Sequence, residues 1–259
     1  MPLKIFEDIR IRKDLLSWRD ELAINSAKQA DYMWSVFRRV IQYAVHNGEI
    51  THNHLKNPGR LYKADRSDKI WLPEDVEKFM CSCSPELQTA LALALHTGQR
   101  KGDLIRLSWT AYDGTGISLR QSKSNRKVYI PATQTLKSIL DSLPRTAVTI
   151  LTNTKGTPWT SDGFNTSWGK AAKRAKIEGL TFHDLRGTAV TLLAEQGCTS
   201  IEIASITGHS LKHVETILDH YGSRTKKIAQ TAILRFEQSW VSEIGKLGKR
   251  NAGETKVTK

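Results

Sequence analysis

Apolar residues recur at three- and four-residue steps through Ala30, Met33, Trp34, Phe37, Val40, Ile41 and Ala44, a spacing that puts them on one face of a helix over residues 27–46. A polar and apolar periodic run over residues 5–22 predicts a helix before it, and Gly48 is the stop. Asn57-Pro58-Gly59 is turn chemistry, and the polar run over residues 63–69 breaks the pattern as a linker does. From Trp71 the pattern restarts. Pro73, Glu74 and Asp75 open a helix with proline and acids in its first turn, and residues 86–96 form a strongly apolar helix closed by Thr97-Gly98. Asp113-Gly114-Thr115-Gly116 is a hairpin-type turn. The alternation over residues 117–130, interrupted around residues 122–125, predicts two short antiparallel strands. After Pro131 the chain reads as helix again, apart from a strand expected at residues 148–151. Ile228, Ala232, Leu234, Phe236 and Trp240 give helical spacing to residues 228–241, whereas residues 248–259 are polar and expected to be disordered.

These elements predict a mainly helical α+β protein: a small N-terminal helical domain, then a mostly helical domain with a small antiparallel sheet. The boundaries expected are 1–62 for the first domain, 63–70 for the linker, 71–242 for the second domain and 243–259 for a basic tail. At 259 residues and 39% hydrophobic content the chain can bury two modest cores of unequal size. Charge narrows the partners. A formal net charge of +13 attracts a polyanion, with nucleic acid first among the candidates, although ribosomal and heparin-binding proteins share that balance. No stretch approaches the roughly 18 apolar residues of a membrane span, and the N-terminus lacks an apolar signal core, so no membrane partner and a cytoplasmic location are expected. Cys81, Cys83 and Cys198 have no second Cys or His pair at zinc-ligand spacing and read as reduced packing residues.

The chemistry is carried by an ordered set in the second domain: Arg100, Lys123, His183-Asp184-Leu185-Arg186, Gly208-His209 and Tyr221. A phosphodiester under attack gathers charge on its non-bridging oxygens, and two guanidiniums, Arg100 and Arg186, can clamp those oxygens with paired donors. On a helix, His183 and Arg186 project from one face, while Asp184 points elsewhere. Taken singly, each has a plainer reading: a surface arginine, a capping histidine, a tyrosine packed at a helix end. No GxxxxGK[ST] loop and no run of clustered carboxylates accompanies the arginines, so neither a nucleotide nor a metal cofactor is expected.

In order and spacing, four stretches resemble those of the tyrosine recombinases of the phage-integrase family: residues 96–104 around Arg100, Phe182-His183-Asp184-Leu185-Arg186, Thr207-Gly208-His209-Ser210, and Tyr221. The resemblance runs from about Trp71 to Trp240. It implies that the first domain clamps double-stranded DNA and that the second breaks and rejoins strands. Tyr221 is then the nucleophile of a 3′-phosphotyrosyl link, helped by Arg100, Arg186, His183 and His209. Asp103 stands at an acidic position expected to hold an arginine or the backbone. The general acid is implied to be a lysine on the turn between the two strands, which is Lys123, with Arg126 and Lys127 close enough to be confused with it. Assembly into a tetramer on DNA, docking of the last helix on a neighbour, accessory DNA-bending proteins and a bacterial or phage-encoded, nucleoid-associated enzyme are further implications. Against that resemblance the N-terminal region is short by at least one helix, as a truncated start or a natural short form would be. Two rivals remain open: a type IB topoisomerase-like relaxase using similar residues, and a catalytically silent DNA-binding regulator or prophage remnant of the same fold.

Overall fold

The computed structural model describes residues 3–63, 66, 69–222, 229–235 and 237, without the side chains of residues 220–222. The chain forms two compact units, residues 1–65 and 66–259.

In the first unit a 3-10 turn (Leu3–Glu7) precedes α1 (Ile11–His46). The two expected helices run as a single 36-residue element broken at Ser26, whose backbone is extended at φ −161° and ψ 101°. Serine breaks the helix and restarts it, because its hydroxyl accepts the Gln29 N–H at 3.2 Å as an N-cap does. The expected apolar face divides. Ala30, Trp34, Ile41 and Ala44 are buried, with Ile50 and Leu55 from the returning segment packed into the Trp34 cluster. Met33 and Val40 instead stay exposed with Tyr32, Val36 and Tyr43, since the returning chain covers only one side of the helix. Arg19 is buried against this core, its guanidinium 5.7 Å from the Trp34 ring and bonded to the Gly59 carbonyl.

The second unit contains α2 (Pro73–Ser82), α3 (Pro85–Thr97), the short α4 (Lys101–Leu104), β1 (Gly116–Arg120), β2 (Lys127–Pro131), α5 (Gln134–Ser142), α6 (Ser161–Arg174), α7 (Asp184–Glu195), α8 (Ser200–Thr207) and α9 (Leu211–Gly222). The two strands pair antiparallel from Gly116 opposite Pro131 to Arg120 opposite Lys127, which leaves residues 121–126 as the connecting turn. The architecture is therefore mainly helical α+β with one small sheet.

The strand expected at residues 148–151 is absent. Thr149 makes only an isolated bridge to Ser108, and Thr152 another to Pro158, because Pro144, the turn at residues 153–156 and Pro158 cut the segment before a ladder can extend. Residues 143–160 are likewise loop where helix is expected.

An aromatic cluster fixes α2, α6 and the approach to α7. Phe79 and Trp168 rings lie 4.1 Å apart, and Phe182 meets Trp168 edge-on at 4.7 Å. Phe79 and Phe164 are fully buried, and each such ring stabilises the fold by about 1.5–3 kcal/mol. Phe182 immediately precedes His183, so the core holds the start of α7 in place. Residues 229–235 and 237 are helical, within the helix expected at 228–241. The remainder of that helix and the tail at 243–259 lie outside the described residues.

Candidate active site

Two helix ends of the same construction meet at the centre of the second unit. α3 and α8 each finish with Thr-Gly: Thr97 and Thr207 return their hydroxyl protons to the carbonyls of Leu93 and Ile203. Gly98 (φ 62°) and Gly208 (φ 68°) then turn the chain in the left-handed region. The ends approach so closely that a Cβ on Gly98 would lie 2.8 Å from the Thr207 methyl. Helix C-termini carry partial negative charge on unpaired carbonyls, and here they hold a cation.

That cation is Arg186, on the first turn of α7 and 4% exposed. Its Nη1 donates to the carbonyl of Gly98 and, at 2.8 Å, to that of Thr207. Its Nη2 is buried and has no hydrogen-bond partner among the described residues. Burial and the neighbouring Arg100 charge pull its pKa down to about 9, so it remains cationic at neutral pH. Arg100 is the N-cap of α4, and its Nη1 donates to Gln121 Oε1 at 3.2 Å.

The hairpin turn closes over these arginines through buried polar contacts. Asp103 Oδ1 accepts the N–H and the hydroxyl of Ser122 at 3.0 and 2.7 Å, so this carboxylate holds the backbone, as one of its two expected roles has it. Gln121 is fully buried, bonded through Nε2 to Gln99 Oε1 and the Thr207 carbonyl. Arg126 Nη1 reaches the His209 carbonyl at 2.5 Å, whereas Lys127 is exposed on β2 opposite Arg120. Lys123 is exposed at the tip of the turn, and its charge acts on both His183 and His213.

Three histidines lie within this field. His183, exposed, occupies the N-cap position of α7 without a side-chain capping bond, and its pKa is lowered by partial desolvation and then by Arg186. His209 is 5% exposed, and burial with the Arg186, His213 and Arg100 charges drives its pKa down to about 2, leaving it neutral. Because the Thr207 hydroxyl donates to Ile203, its oxygen accepts from His209 Nδ1–H at 2.8 Å. That leaves Nε2 as the free ring nitrogen. His213, which the motifs do not single out, sits one turn into α9 with its ring 5.0 Å from that of His209, and its pKa is lowered by burial and by Arg186, Arg100 and Lys123.

Asp184 turns away from the arginines, as helical geometry requires. It is paired with Arg66 at 2.5 Å and caps the Thr181 N–H and hydroxyl. The structure thus brings together Arg100, Lys123, His183, Arg186 and His209. Tyr221 lies in the last turn of α9, the helix that follows His209, but its side chain lies outside the described residues. Among the described residues no group of three His, Cys, Asp or Glu is placed to hold a metal ion, and no helix is long and apolar enough to cross a membrane.

Comparison with known proteins gives a consistent picture. The chain is 33% identical over 122 residues to the shufflon-specific DNA recombinase of Escherichia coli, covering 45% of this chain and 30% of that protein. It is 25% identical over 211 residues to the integrase of Escherichia phage lambda, covering 76% of this chain and 59% of that one. The chain thus spans between about a third and three-fifths of the length of these two relatives. Its fold superposes on the crystal structure of a lambda integrase (75–356) dimer bound to a COC′ core site with a TM-score of 0.66, at 24% identity, over 78% of this chain and 80% of that one. Residues 71–227, which hold every site residue described above, match the Phage integrase family, and the chain belongs to that family.

Proposed function

We propose that this chain is a site-specific DNA recombinase that breaks and rejoins strands through a 3′-phosphotyrosyl intermediate, for integration or excision of a mobile element. The observation that carries the reading is the Arg186 guanidinium, buried beside Arg100 with one nitrogen unpartnered, which is a seat for an anion. Donors held in place before charge develops are what a phosphoryl transition state needs. The relatives supply the substrate class: a DNA recombinase and an integrase by name, and an integrase dimer bound to a DNA core site.

In the proposed reaction the Tyr221 oxygen attacks phosphorus as the bond to the 5′ oxygen breaks. Arg100 and Arg186 take the charge on the non-bridging oxygens. Lys123 gives a proton to the leaving 5′ oxygen, and its place at the exposed tip of the turn, between Ser122 held by Asp103 and Ser124 held by Gln121, supports that role over Lys127 on β2. His209, neutral in the free protein, gains reason to hold a proton at Nε2 once a phosphate offsets the arginines, and then donates to it. The phosphotyrosyl bond stores the energy of the broken linkage, so a 5′ hydroxyl rejoins it without fuel.

The N-terminal unit serves as a DNA clamp in this reading. A groove on it is lined by Arg38, Arg39, Gln42, Asn53 and Lys56, a composition suited to a phosphate backbone. A tetramer on DNA is part of this reading, supported by the similar fold of a lambda integrase tetramer bound to a Holliday junction. Accessory bending proteins and a cytoplasmic, nucleoid-associated location complete the proposal.

Suicide DNA substrates carrying candidate sites, incubated in EDTA without nucleotide, test it. A covalent protein–DNA adduct is expected, because protein cations neutralise the phosphate. Reversible binding without an adduct would favour the silent regulator. A strict requirement for a divalent ion in cleavage itself would overturn the mechanism.

A further inference from the structure

Gln121 is uncharged, lies at no motif position, and is fully buried. Its side chain is nonetheless the junction of the site. Nε2 donates to Gln99 Oε1 at 2.6 Å and to the Thr207 carbonyl at 2.8 Å. Oε1 accepts from Arg100 Nη1 at 3.2 Å and from the Ser124 hydroxyl at 2.7 Å. Gln99 in turn donates to the carbonyls of Thr97 and Ile206, each at 3.0 Å, so two buried amides tie the ends of α3 and α8 together. The orientation of the Gln121 amide is fixed by its partners: the Thr207 carbonyl can only accept and the Arg100 guanidinium can only donate. No other rotation satisfies all four contacts. The amide also lies flat on Gly208, where a Cβ would stand 2.3 Å from Nε2.

We infer that Gln121 is a positioning residue for the transesterification proposed above, and that its chief action is to hold the turn carrying Lys123 against the end of α8. The Gln121 backbone N–H closes the same turn on Arg126 O at 2.8 Å, so side chain and main chain fix residues 121–126 together. Asp103 holds the same turn through Ser122 and Arg126 holds it through the His209 carbonyl, but Gln121 is the member that ties it to the ends of both α3 and α8, and the reach of Lys123, at the exposed tip, to the leaving 5′ oxygen depends on where the turn sits. Buried networks of this sort transmit the loss of one member to all, and a displacement of about 1 Å in a reacting group can slow a reaction about 100-fold.

The inference rests on the assignment of Lys123 as the acid, and the experiment separates the two. In the full chain, Gln121→Met keeps the volume and removes the hydrogen bonds. Single-turnover cleavage is measured on ordinary DNA and on DNA with a 5′-bridging phosphorothiolate, whose sulfur leaves without a proton. Lys123→Ala and Arg100→Ala run in parallel. Gln121→Met is expected to slow cleavage of ordinary DNA by about tenfold or more and to regain most of that on the sulfur substrate, as Lys123→Ala does. Equal rates to wild type on both substrates, or an equal loss on both as for Arg100→Ala, would overturn the role. If Lys123→Ala itself is not rescued, the acid has been misassigned and the fault lies in the earlier reading. Should Gln121→Met melt early or lose DNA binding, Ser124→Ala decides: it removes one bond to Gln121 from an exposed position and should show the same selective rescue, smaller in size. No selective rescue there refutes the proposal.

Discussion

Arg186 Nη1 and Gln121 Nε2 both donate to the carbonyl oxygen of Thr207, each at 2.8 Å, so the central arginine and the hairpin share one acceptor at the end of α8. The guanidinium is thereby held by one nitrogen while the other is buried without a hydrogen-bond partner among the described residues.

Arg186→Lys tests the value of that fork. An ammonium keeps the charge but cannot hold two helix ends and still present a planar donor to phosphate. Cleavage in a single turnover should fall about 10²–10³-fold, close to the loss in Arg186→Ala. Near wild-type cleavage by the lysine variant would show that charge alone suffices.

Tyr221→Phe removes one oxygen. Covalent attachment to a nicked substrate should vanish while DNA affinity, read by a filter or anisotropy assay, stays within about twofold, since phosphate contacts that set affinity are untouched. An adduct that persists points to another nucleophile.

His209 predicts a pH dependence of stability in the DNA-free protein. Its pKa falls from 6.5 to about 2 on folding, so the unfolded chain takes up the proton first as pH drops. Stability is complete above pH 6.5 and declines below it, by up to about 1.4 kcal/mol per pH unit from this group. His96, His183 and His213, all lowered by burial first, act with the same sign. His209→Asn should flatten the wild-type slope in urea melts between pH 6.5 and 4.5. An unchanged slope would mean that His209 is not held neutral by the fold.

Gly208→Ala meets two obstacles: a positive φ and the buried Gln121 amide. Together they should destabilise the protein by about 2–4 kcal/mol in a denaturant melt. Gly114→Ala, at φ 87° with no atom within 4 Å of the added carbon, is the control and should show the backbone part only. Equal losses in the two variants would remove the claim of close packing at Gly208.

What the sequence reveals depends on how local the signal is. Arg100, His183, Arg186 and His209 are picked out together by the resemblance, whose stretches are runs of adjacent residues such as Thr97-Gly98 and Thr207-Gly208, and the structure sets the four near one another. The two strands are legible from their alternation; the resemblance marks Asp103 as an acidic position and leaves open whether it holds an arginine or the backbone. Gln121 escapes the motifs because its partners lie 22 and 86 residues away in sequence, at Gln99 and Thr207. His213 escapes because only the packing of α9 sets it against His209. Residues 148–151 mislead: their apolar content comes from Ile150 and Leu151 filling the core, not from strand pairing. Met33 and Val40 mislead in the opposite sense, since periodicity marks a helix face without saying how much of it a partner covers.

The seat of Arg186 is built from main-chain oxygens of Gly98 and Thr207. No side-chain replacement at neighbouring positions can delete an acceptor that every amino acid carries. Drift in the sequence around these helix ends can therefore alter packing while leaving the guanidinium its two anchors, provided the backbone can still make the left-handed turns. The part of the site most resistant to mutation is the part that has no side chain, and a distant relative could keep this cation in place with few identical residues around it.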